Sequence, residues 1–153
     1  MARLEDLTPA MRQRLTDLDC PKYDTGPFVT GGPLAGRRVA IVTSAALMRR
    51  GERPMMPGEN VFHELPTSLA AGDIVMTHVS VNYDRTGFQR DINVAYPIDR
   101  LRDLAADGTI GSVADRHYSV MGSNDPQAWG ELADRMVVRL KDDRVDAVVL
   151  SPV

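Results

Sequence analysis

Cysteine is nearly absent from this sequence of 153 residues, which contains only Cys20. A single cysteine excludes an intrachain disulfide and leaves no Cys-x-x-Cys pair for thiol redox chemistry or zinc binding. Long hydrophobic runs are also absent, because no segment approaches the roughly 20 apolar residues that a membrane-spanning helix needs. The N-terminus, MARLEDLTPAMRQRL, has no apolar stretch of signal-peptide length. Together these absences predict a cytoplasmic protein in a reducing compartment.

A strong excess of either charge is missing as well. The formal net charge is −3, the isoelectric point is near 5.6, and the basic residues are scattered among acidic ones. This distribution gives no long-range field that would attract nucleic acid or an anionic membrane. Hydrophobic residues make up 43% and charged residues 25%, which is typical of globular proteins. The length suits one hydrophobic core. We predict a single domain over residues 28–153, preceded by an N-terminal helix and arm over residues 1–27.

Helical and strand patterns alternate along the chain. The apolar residues of the N-terminal segment lie three or four apart, which predicts an amphipathic helix that ends before the arm CPKYDTGPFVTGGPLAGRR. The run RVAIVT at 38–43 predicts a buried strand, and MRRGERPMMPGEN after it predicts a long polar loop. The apolar residues of the N-terminal helix are Leu4, Leu7, Met11, Leu15 and Leu18.

The second half of the chain continues this alternation. The segment 73–81, DIVMTHVSV, predicts a second strand, and Pro97 precedes a short helix that Gly108 ends in a left-handed cap. TIGSVADRHYSVMG predicts a third strand region. Asp125 and Pro126 begin the clearest helix, and VDAVVLSPV after it predicts a final strand. The predicted fold class is therefore α/β, with a three-layer, mostly parallel, Rossmann-like sheet flanked by helices.

Polar side chains cluster in two windows near predicted strand ends. The first, THVSVNYDRTGFQRDINVAYPIDR, contains His78, Asp84 and Asp91, and the second, ADRHYSVMGSND, contains His117. A histidine beside a carboxylate is the usual pair for proton transfer, because imidazole titrates near neutral pH and a carboxylate fixes its tautomer. These four residues are our candidate catalytic residues. The alternative is that each histidine is a structural hydrogen-bonding residue.

Hydroxyl and amide side chains in the windows, and after the first strand, are candidate substrate ligands. Thr43 and Ser44 end the first strand, where a hydroxyl and backbone N–H groups either hold an anionic ligand or only turn the chain. Parallel strands bring their carboxyl ends to one edge of a sheet, so we expect His78 and His117 to be neighbours in a cleft there. The candidate substrate-binding residues are Thr43, Ser44, Asn82, Tyr118 and Ser119.

The spacing disfavours three other kinds of site. His63 and Glu64 lack the second histidine of H-E-x-x-H, so we predict no metal site from a motif. The glycines in VTGGPLAG precede the first strand, whereas a phosphate-binding loop follows a strand. Cys20 has no adjacent base in the sequence, which favours a small apolar filler over a nucleophile.

Four segments of the chain, read together, resemble a known family. They are VAIVTSAAL, HVSVNYDRTGFQRDINVAYPIDRL, GTIGSVADRHYSVMGSNDP and VDAVVLSPV, and the second is the specific one. From about Phe28 to Val153 the sequence resembles the selenoprotein B component of the glycine, sarcosine, betaine and D-proline reductases. The resemblance implies a reductase component that cleaves a C–N bond with a selenocysteine or cysteine and works beside other subunits.

In that family the redox residue falls immediately after the strand that matches VDAVVLSPV, where this sequence ends at Val153. We therefore expect an oxidoreductase component for a small amine or amino-acid-like substrate, with the redox residue absent or supplied by a partner. A selenocysteine codon read as a stop, a separate subunit for the remainder, or a natural short relative would each explain the ending.

The resemblance also gives the candidate residues their roles. His78 and His117 would donate or accept protons, and Asp84 and Asp91 would orient them or pair with a cationic amine. The expected assembly is a homo-oligomer or a complex with a second subunit. Two other hypotheses stay open. One is a non-catalytic binding or assembly subunit that docks a second chain on the strand edge at 145–150. The other is a metal-dependent enzyme that uses His78 and His117.

Overall fold

The structure of the protein is a computed structural model that describes residues 3–17, 22, 24–26, 29–80 and 84–153. The chain forms two compact units, Met1–Thr30 and Gly31–Val153. Among the residues so described, no helix is long and apolar enough to cross a membrane.

The first unit contains helix α1 (Pro9–Thr16). Thr8 caps it, since its Oγ1 accepts the backbone N–H of Met11 at 3.4 Å, and proline occupies the first helical position. None of the α1 residues is buried, so the apolar side predicted for this helix is exposed. Leu18 and Cys20, which also entered the sequence predictions, lie outside the described residues.

The described part of the second unit has seven strands and three helices. The strands are β1 (Arg38–Thr43), β2 (Leu47–Arg49), β3 (Phe62–Pro66), β4 (Ile74–Met76), β5 (Ser112–Val113), β6 (Arg116–Val120) and β7 (Ala147–Ser151). The helices are α2 (Thr86–Arg90), α3 (Ile98–Ala106) and α4 (Gly130–Asp142).

Strand β1 is the centre of the main sheet. It pairs in parallel with β7 on one side, and on the other side with β5 at its start and β6 at its end. Strand β3 joins the far side of β6 in the antiparallel direction, and β2 and β4 form a separate antiparallel pair. The predicted α/β class is confirmed. The sheet is mixed, however, so the mostly parallel, three-layer Rossmann-like arrangement is not confirmed.

Apolar layers cover both faces of the main sheet, because alternate side chains of β1 point to opposite faces. Helix α3 covers one face and helix α4 covers the other. The α3 layer includes Val39, Ile41, Leu65, Ile98 and Leu101, and the α4 layer includes Tyr118, Val120, Leu132 and Met136.

The helix boundaries follow the signals in the sequence. Helix α3 begins directly after Pro97, and Gly108 follows its end with a φ of 77°, in the left-handed region that favours glycine. Asp125 accepts the N–H of Gln127 at 2.9 Å and caps a short 3-10 helix (Pro126–Trp129). That 3-10 helix leads directly into α4, so the predicted last helix is confirmed with a tighter first turn.

The strands agree with the sequence less completely. RVAIVT and VDAVVLSPV form β1 and β7 as predicted. The strand predicted at 73–81 is shorter, because Thr77 donates both its N–H and its hydroxyl to the Ala46 carbonyl and the ladder ends at Met76. Strands β2 and β3 were not predicted. β2 lies at the start of the segment read as a loop, and β3 contains a charged residue and a proline.

Candidate functional site

A polar pocket of about 410 Å³ lies between the β2–β4 pair and the segment that joins α2 to α3. Two arginines and two aspartates line it, so both signs of charge face the same space. We call it the Asn93 pocket, after the residue that connects its carboxylates. Its lining residues are Arg50, Ala71, Gly72, Ile74, Phe88, Gln89, Arg90, Asp91, Ile92, Asn93 and Asp99.

Asn93 joins the two carboxylates of this pocket. Its Nδ2 donates to Asp91 Oδ1 at 2.8 Å and to Asp99 Oδ2 at 3.0 Å, while its Oδ1 accepts the backbone N–H of Asp99 at 3.0 Å. Asp91 also accepts the backbone N–H of Asn93 at 2.9 Å, because it caps the 3-10 turn Ile92–Val94. Hydrogen bonds from Asn93 lower the pKa of Asp91, and those from Asn93 and Arg102 lower the pKa of Asp99. Both carboxylates are therefore ionised at neutral pH.

The two arginines supply the positive charge of the pocket. Arg50 Nη2 donates to the carbonyl of Gly72 at 3.1 Å, which holds that guanidinium against the lining. Arg90 is the last residue of α2, and within the described part of the chain its side chain makes no hydrogen bond or ion pair. Arg90 is therefore a cation that can pair with an anionic group entering the pocket.

His117 lies on β6, is fully buried, and has both ring nitrogens hydrogen-bonded to protein groups. Nδ1 accepts the backbone N–H of Ile41 at 2.9 Å, so Nε2 carries the proton and donates to Thr67 Oγ1 at 3.0 Å. The Tyr96 ring packs against it edge-on with centroids 5.5 Å apart. Burial lowers the pKa of His117 to about 4. Its ring is thus neutral at pH 7 and completes the hydrogen bonding of β1.

His78 lies in the segment after β4 and is 5% exposed. Its Nδ1 accepts the backbone N–H of Ser80 at 3.2 Å. The Arg85 guanidinium donates to the backbone carbonyls of His78 and Ser80. Burial, followed by the charge of Arg85, lowers the pKa of His78. The contacts described for His78 and those described for His117 involve different residues, and the expected proximity of the two rings stays a prediction.

The predicted carboxylates bond to their own turns in the described residues. Asp84 Oδ1 accepts the N–H of Thr86 at 2.9 Å and its hydroxyl at 2.7 Å, and these bonds lower the pKa of Asp84. Asp91 bonds to Asn93 as given above. A histidine–carboxylate pair that the sequence did not predict occurs between His63 Nδ1 and Glu52 Oε2 at 3.3 Å. Within the described chain, no cluster of three or more His, Cys, Asp or Glu side chains could hold a metal ion.

The predicted hydroxyl ligands shape the turn after β1. Thr43, Tyr118 and Ser119 are fully buried. Thr43 Oγ1 accepts the N–H of Ala45 at 3.2 Å, and Ser119 Oγ accepts the N–H of Leu47 at 2.7 Å. These bonds satisfy backbone donors of the turn. Of the two reasons considered for a hydroxyl at this strand end, turning the chain is the one that the contacts of Thr43 support.

Ser44 joins the carboxyl ends of three strands. Its N–H donates to the carbonyl of Ser151 at 3.1 Å, and its Oγ accepts the N–H of Val153 at 2.8 Å. Gly122 donates its N–H to the Ser44 carbonyl at 2.9 Å and lies so close that an added Cβ would be 2.7 Å from that oxygen. The edge where the sequence predicted a ligand is therefore occupied by the protein's own polar groups. Asn82, also predicted as a ligand, lies outside the described residues.

Among the predicted site residues that the structure describes, Asp91 alone lines the Asn93 pocket. The sequence analysis did not select Arg90, Asn93 or Asp99, although all three are close in sequence to Asp91. The spacing Asp-x-Asn before a proline-initiated helix is a signal for an aspartate-capped turn that could have identified them. Arg50 has no such signal, because the pairing of β2 with β4 brings it to the pocket.

Comparison with known proteins gives the family of the chain. Residues 65–153 match the family model of glycine/sarcosine/betaine reductase selenoprotein B. The chain belongs to this family. The residues that match the selenoprotein B model include α2, α3 and all of the Asn93 pocket from Phe88 to Asp99, whereas Arg50 precedes them. No solved structure matches the chain.

The curated relatives of this selenoprotein B family member are parts of reductases. D-proline reductase subunit gamma of Acetoanaerobium sticklandii is 33% identical over 74% of this chain and 47% of its own length. Glycine reductase complex component B subunit gamma of Carboxydothermus hydrogenoformans is 25% identical over 89% of this chain and 33% of its own length. Betaine reductase complex component B subunit beta of Peptoclostridium acidaminophilum is 32% identical over 48% of this chain and 17% of its own length. The chain thus spans less than half of each of these relatives.

Proposed function

We propose that the chain is the substrate-binding component of a reductase of this family, and that it binds a small amine or amino-acid-like substrate in the Asn93 pocket. The observation that carries the proposal is the charge pattern of the pocket. A cation with no described partner, Arg90, lies in the same lining as two carboxylates that Asn93 holds together. The names of the relatives, which include betaine, glycine and D-proline reductases, support the same substrate class.

Each end of a zwitterionic substrate has a complementary group in this lining. A substrate carboxylate would pair with the Arg90 guanidinium, which offers several N–H donors in a planar fork. A cationic nitrogen would lie against Asp91 and Asp99, with the Phe88 ring beside it for a cation–π contact. The volume of about 410 Å³ lies within the range of small-molecule sites.

The residues of this pocket bind and orient but carry no redox group. No cysteine, histidine or serine occurs among the lining residues. The thiol or selenol that the family uses would therefore come from outside the lining of this pocket. Asp91 keeps its predicted role as the partner of a cationic amine. The proton-transfer roles of His78, Asp84 and His117 stay predictions, and so do the ligand roles of Thr43, Ser44, Asn82, Tyr118 and Ser119.

Titration of the chain with glycine, sarcosine, betaine and D-proline tests the proposal by NMR. We expect dissociation constants on the order of 1 mM and shift changes at the pocket residues, with each constant raised at least about tenfold by Arg90→Gln or Asp91→Asn. Asp91→Asn removes the charge but keeps an oxygen that can cap the turn. Asp103→Asn is the matched control for Asp91→Asn, because Asp103 is exposed on α3 outside the lining, where it pairs with Arg100.

Two single-charge probes separate the subsites. Acetate should bind the wild type and the Asp91→Asn variant but not Arg90→Gln, whereas tetramethylammonium should show the reverse pattern. No shift change at the pocket with any of the four amino-acid-like compounds up to about 50 mM would contradict the proposal.

A non-catalytic assembly subunit is the second candidate function. The absence of a redox side chain among the pocket residues favours it. The two candidates differ in the titration described above, because an assembly subunit needs no affinity for a small zwitterion.

A further inference from the structure

Arg102 lies on α3 and is connected to the Asn93 pocket through Asp99. Its Nη1 donates to Asp99 Oδ1 at 2.8 Å, and its Nη2 donates to the backbone carbonyl of Thr67. Asp99 belongs to the lining of the pocket, whereas Arg102 lies outside that lining. An effect of Arg102 on a ligand in the pocket is therefore expected to pass through the Asp99 carboxylate.

The carbonyl that Arg102 uses belongs to a residue that is itself held in place. Thr67 donates its backbone N–H to the carbonyl of Asp115 at 2.9 Å, and its hydroxyl oxygen lies 3.0 Å from Nε2 of the buried His117. These bonds tie the segment after β3 to β6. Because the guanidinium is planar, fixing one of its nitrogens on Thr67 also directs the other nitrogen toward Asp99.

A second arginine–aspartate pair on α3 shows what is particular to Arg102. Arg100 and Asp103 are also three residues apart and pair at 3.0 Å, but in the described part of the chain no further hydrogen bond holds Arg100. Exposed pairs of this kind contribute little, because water screens the charges and the side chains lose freedom when they pair. Arg102 differs because Thr67 fixes its second nitrogen. The pairing of Arg102 with Asp99 is therefore anchored.

The two carboxylates of the pocket are consequently not equivalent. Asp99 has Arg102 on Oδ1 and Asn93 on Oδ2, whereas among the described residues Asp91 accepts hydrogen bonds from Asn93 and forms no ion pair. Hydrogen bonds from Asn93 lower the pKa of both carboxyl groups, and Arg102 lowers further the pKa of Asp99 alone. The charge of Arg100 acts on both. Within the protein, a direct ion pair thus compensates the charge of Asp99 but not that of Asp91.

We infer that Arg102 is a specificity-determining positioning residue of the Asn93 pocket, because it compensates the charge of Asp99 and leaves Asp91 to pair with a ligand cation. Arg50 and Arg90 lie in the same lining, so free positive charge exceeds free negative charge there. A ligand with one cationic nitrogen beside a carboxylate fits this balance. A diamine or a basic amino acid does not fit, because its second cation finds no free carboxylate. The inference rests on the proposed function, since it concerns binding in the same pocket.

Tetramethylammonium tests the inference, because it carries only the cationic part of such a ligand. In NMR titrations at low salt, we expect Arg102→Gln to bind it about fivefold more tightly than the wild type, since Asp99 becomes a second free carboxylate. Acetate should bind this variant no more tightly than it binds the wild type. Arg102→Lys keeps the charge and should return the tetramethylammonium affinity to within about twofold of wild type. The gain should shrink in about 1 M salt, where the Debye length is about 3 Å.

A permanent dication tests the preference for a single positive charge. In 1,2-bis(trimethylammonium)ethane, two quaternary nitrogens are joined by a two-carbon bridge. Asn93 Nδ2 donates to both Asp91 and Asp99, so the two carboxylates lie close enough for one such ion to meet both. The wild type should bind this dication no more tightly than tetramethylammonium. Arg102→Gln should bind it at least about tenfold more tightly than the wild type does, because both nitrogens then have a free carboxylate.

Two comparisons test whether the effect passes through Asp99. Arg102→Gln should give no gain in an Asp99→Asn background, so the double variant and Asp99→Asn alone should bind tetramethylammonium within about twofold of each other. Arg139→Gln is the matched control for loss of an arginine, because Arg139 also pairs with one carboxylate but lies on α4, at the other face of the sheet. Without ligand, carbon-13 titration should show a raised pKa for Asp99 in Arg102→Gln and an unchanged pKa for Asp91.

The outcomes separate this inference from the proposed function. Arg102→Gln that binds tetramethylammonium no more tightly than the wild type, or an equal gain in the Asp99→Asn background, would overturn the inference while the zwitterion titrations still decide the function. A pocket that binds none of the four zwitterions, but binds tetramethylammonium more tightly after Arg102→Gln, would overturn the proposed function alone. If neither the wild type nor Arg102→Gln shows a shift change with any of these compounds up to about 50 mM, both are overturned.

Discussion

Replacement of His117 by asparagine tests whether this ring is a neutral structural bridge. Burial lowers the pKa of His117 to about 4 from the ordinary value of 6.5. The unfolded chain therefore binds a proton below pH 6.5 that the folded chain binds only near pH 4. Because the folded pKa is the lower one, protonation favours unfolding. The stability that depends on the neutral ring is complete above pH 6.5 and is lost as the pH falls toward 4.

The size of this effect follows from the two pKa values. The difference between 6.5 and about 4 corresponds to about 3 kcal/mol of unfolding free energy, at 1.36 kcal/mol for each pH unit. The introduced amide oxygen can still accept the Ile41 N–H, but the shorter side chain leaves Thr67 without its donor. At pH 7.5 we therefore expect the variant to be about 2–4 kcal/mol less stable than the wild type.

Urea unfolding at several pH values between 7.5 and 4 measures both quantities. As the pH falls from 7.5 to 4, the unfolding free energy of the wild type should decrease by about 3 kcal/mol more than that of His117→Asn, because the variant no longer has the buried imidazole. His63→Asn is the control for replacing a histidine, since His63 pairs with Glu52 and takes no part in the hydrogen bonds of His117 with Ile41 and Thr67. Parallel curves for the wild type and His117→Asn would refute the structural account of the ring.

Two further substitutions test the packing around the sheet. Asp143→Asn should lower the unfolding free energy by about 2–3 kcal/mol in urea titrations, because the Asp143 carboxylate pairs with the half-buried Arg38. Asp142→Asn is the control and should change the unfolding free energy little. Gly122→Ala should lower the unfolding free energy by about 1–3 kcal/mol in the same assay, because a Cβ there would lie 2.7 Å from a backbone carbonyl oxygen. Gly36→Ala is the control and should change the unfolding free energy little, because a Cβ at Gly36 would have no atom within 4 Å. An unchanged midpoint for Asp143→Asn or Gly122→Ala would show that the contact is not formed.

Elements whose signals are local could be read from the sequence. The run of β-branched residues in β1 and the proline and glycine that bound α3 act through neighbouring residues, and they predicted those elements correctly. Strand β3 could not be read, because Phe62–Pro66 has no alternation and owes its strand conformation to pairing with β6. That antiparallel pairing also makes the sheet mixed. It joins segments far apart in sequence, which no local pattern reports.

The candidate site shows the same division. The predicted pair of histidines depended on a long-range assumption, that parallel strand ends bring His78 and His117 together. In the structure the His117 ring accepts the Ile41 N–H at 2.9 Å, in a stretch of β1 between its pairings with β5 and β6. A side chain that replaces a backbone partner cannot be recognised before the strand pairing is known. Asp91 accepts hydrogen bonds from Asn93, two residues further along the chain, and its site role stays a prediction.

The location of the pocket follows from how the strand ends are closed. In an open parallel sheet, backbone groups beyond the carboxyl ends of the strands are available to a ligand. Here Ser44 bonds to Ser151 and Val153, and Gly122 packs against it, so polar groups of the chain bond to one another at that edge. Most of the polar groups that line the Asn93 pocket belong to residues 89–99, from the end of α2 into α3. Their hydrogen bonds through Asn93 span only two to six residues, so a short stretch of sequence positions both carboxylates of the pocket, whereas Arg50 reaches it through the pairing of β2 with β4.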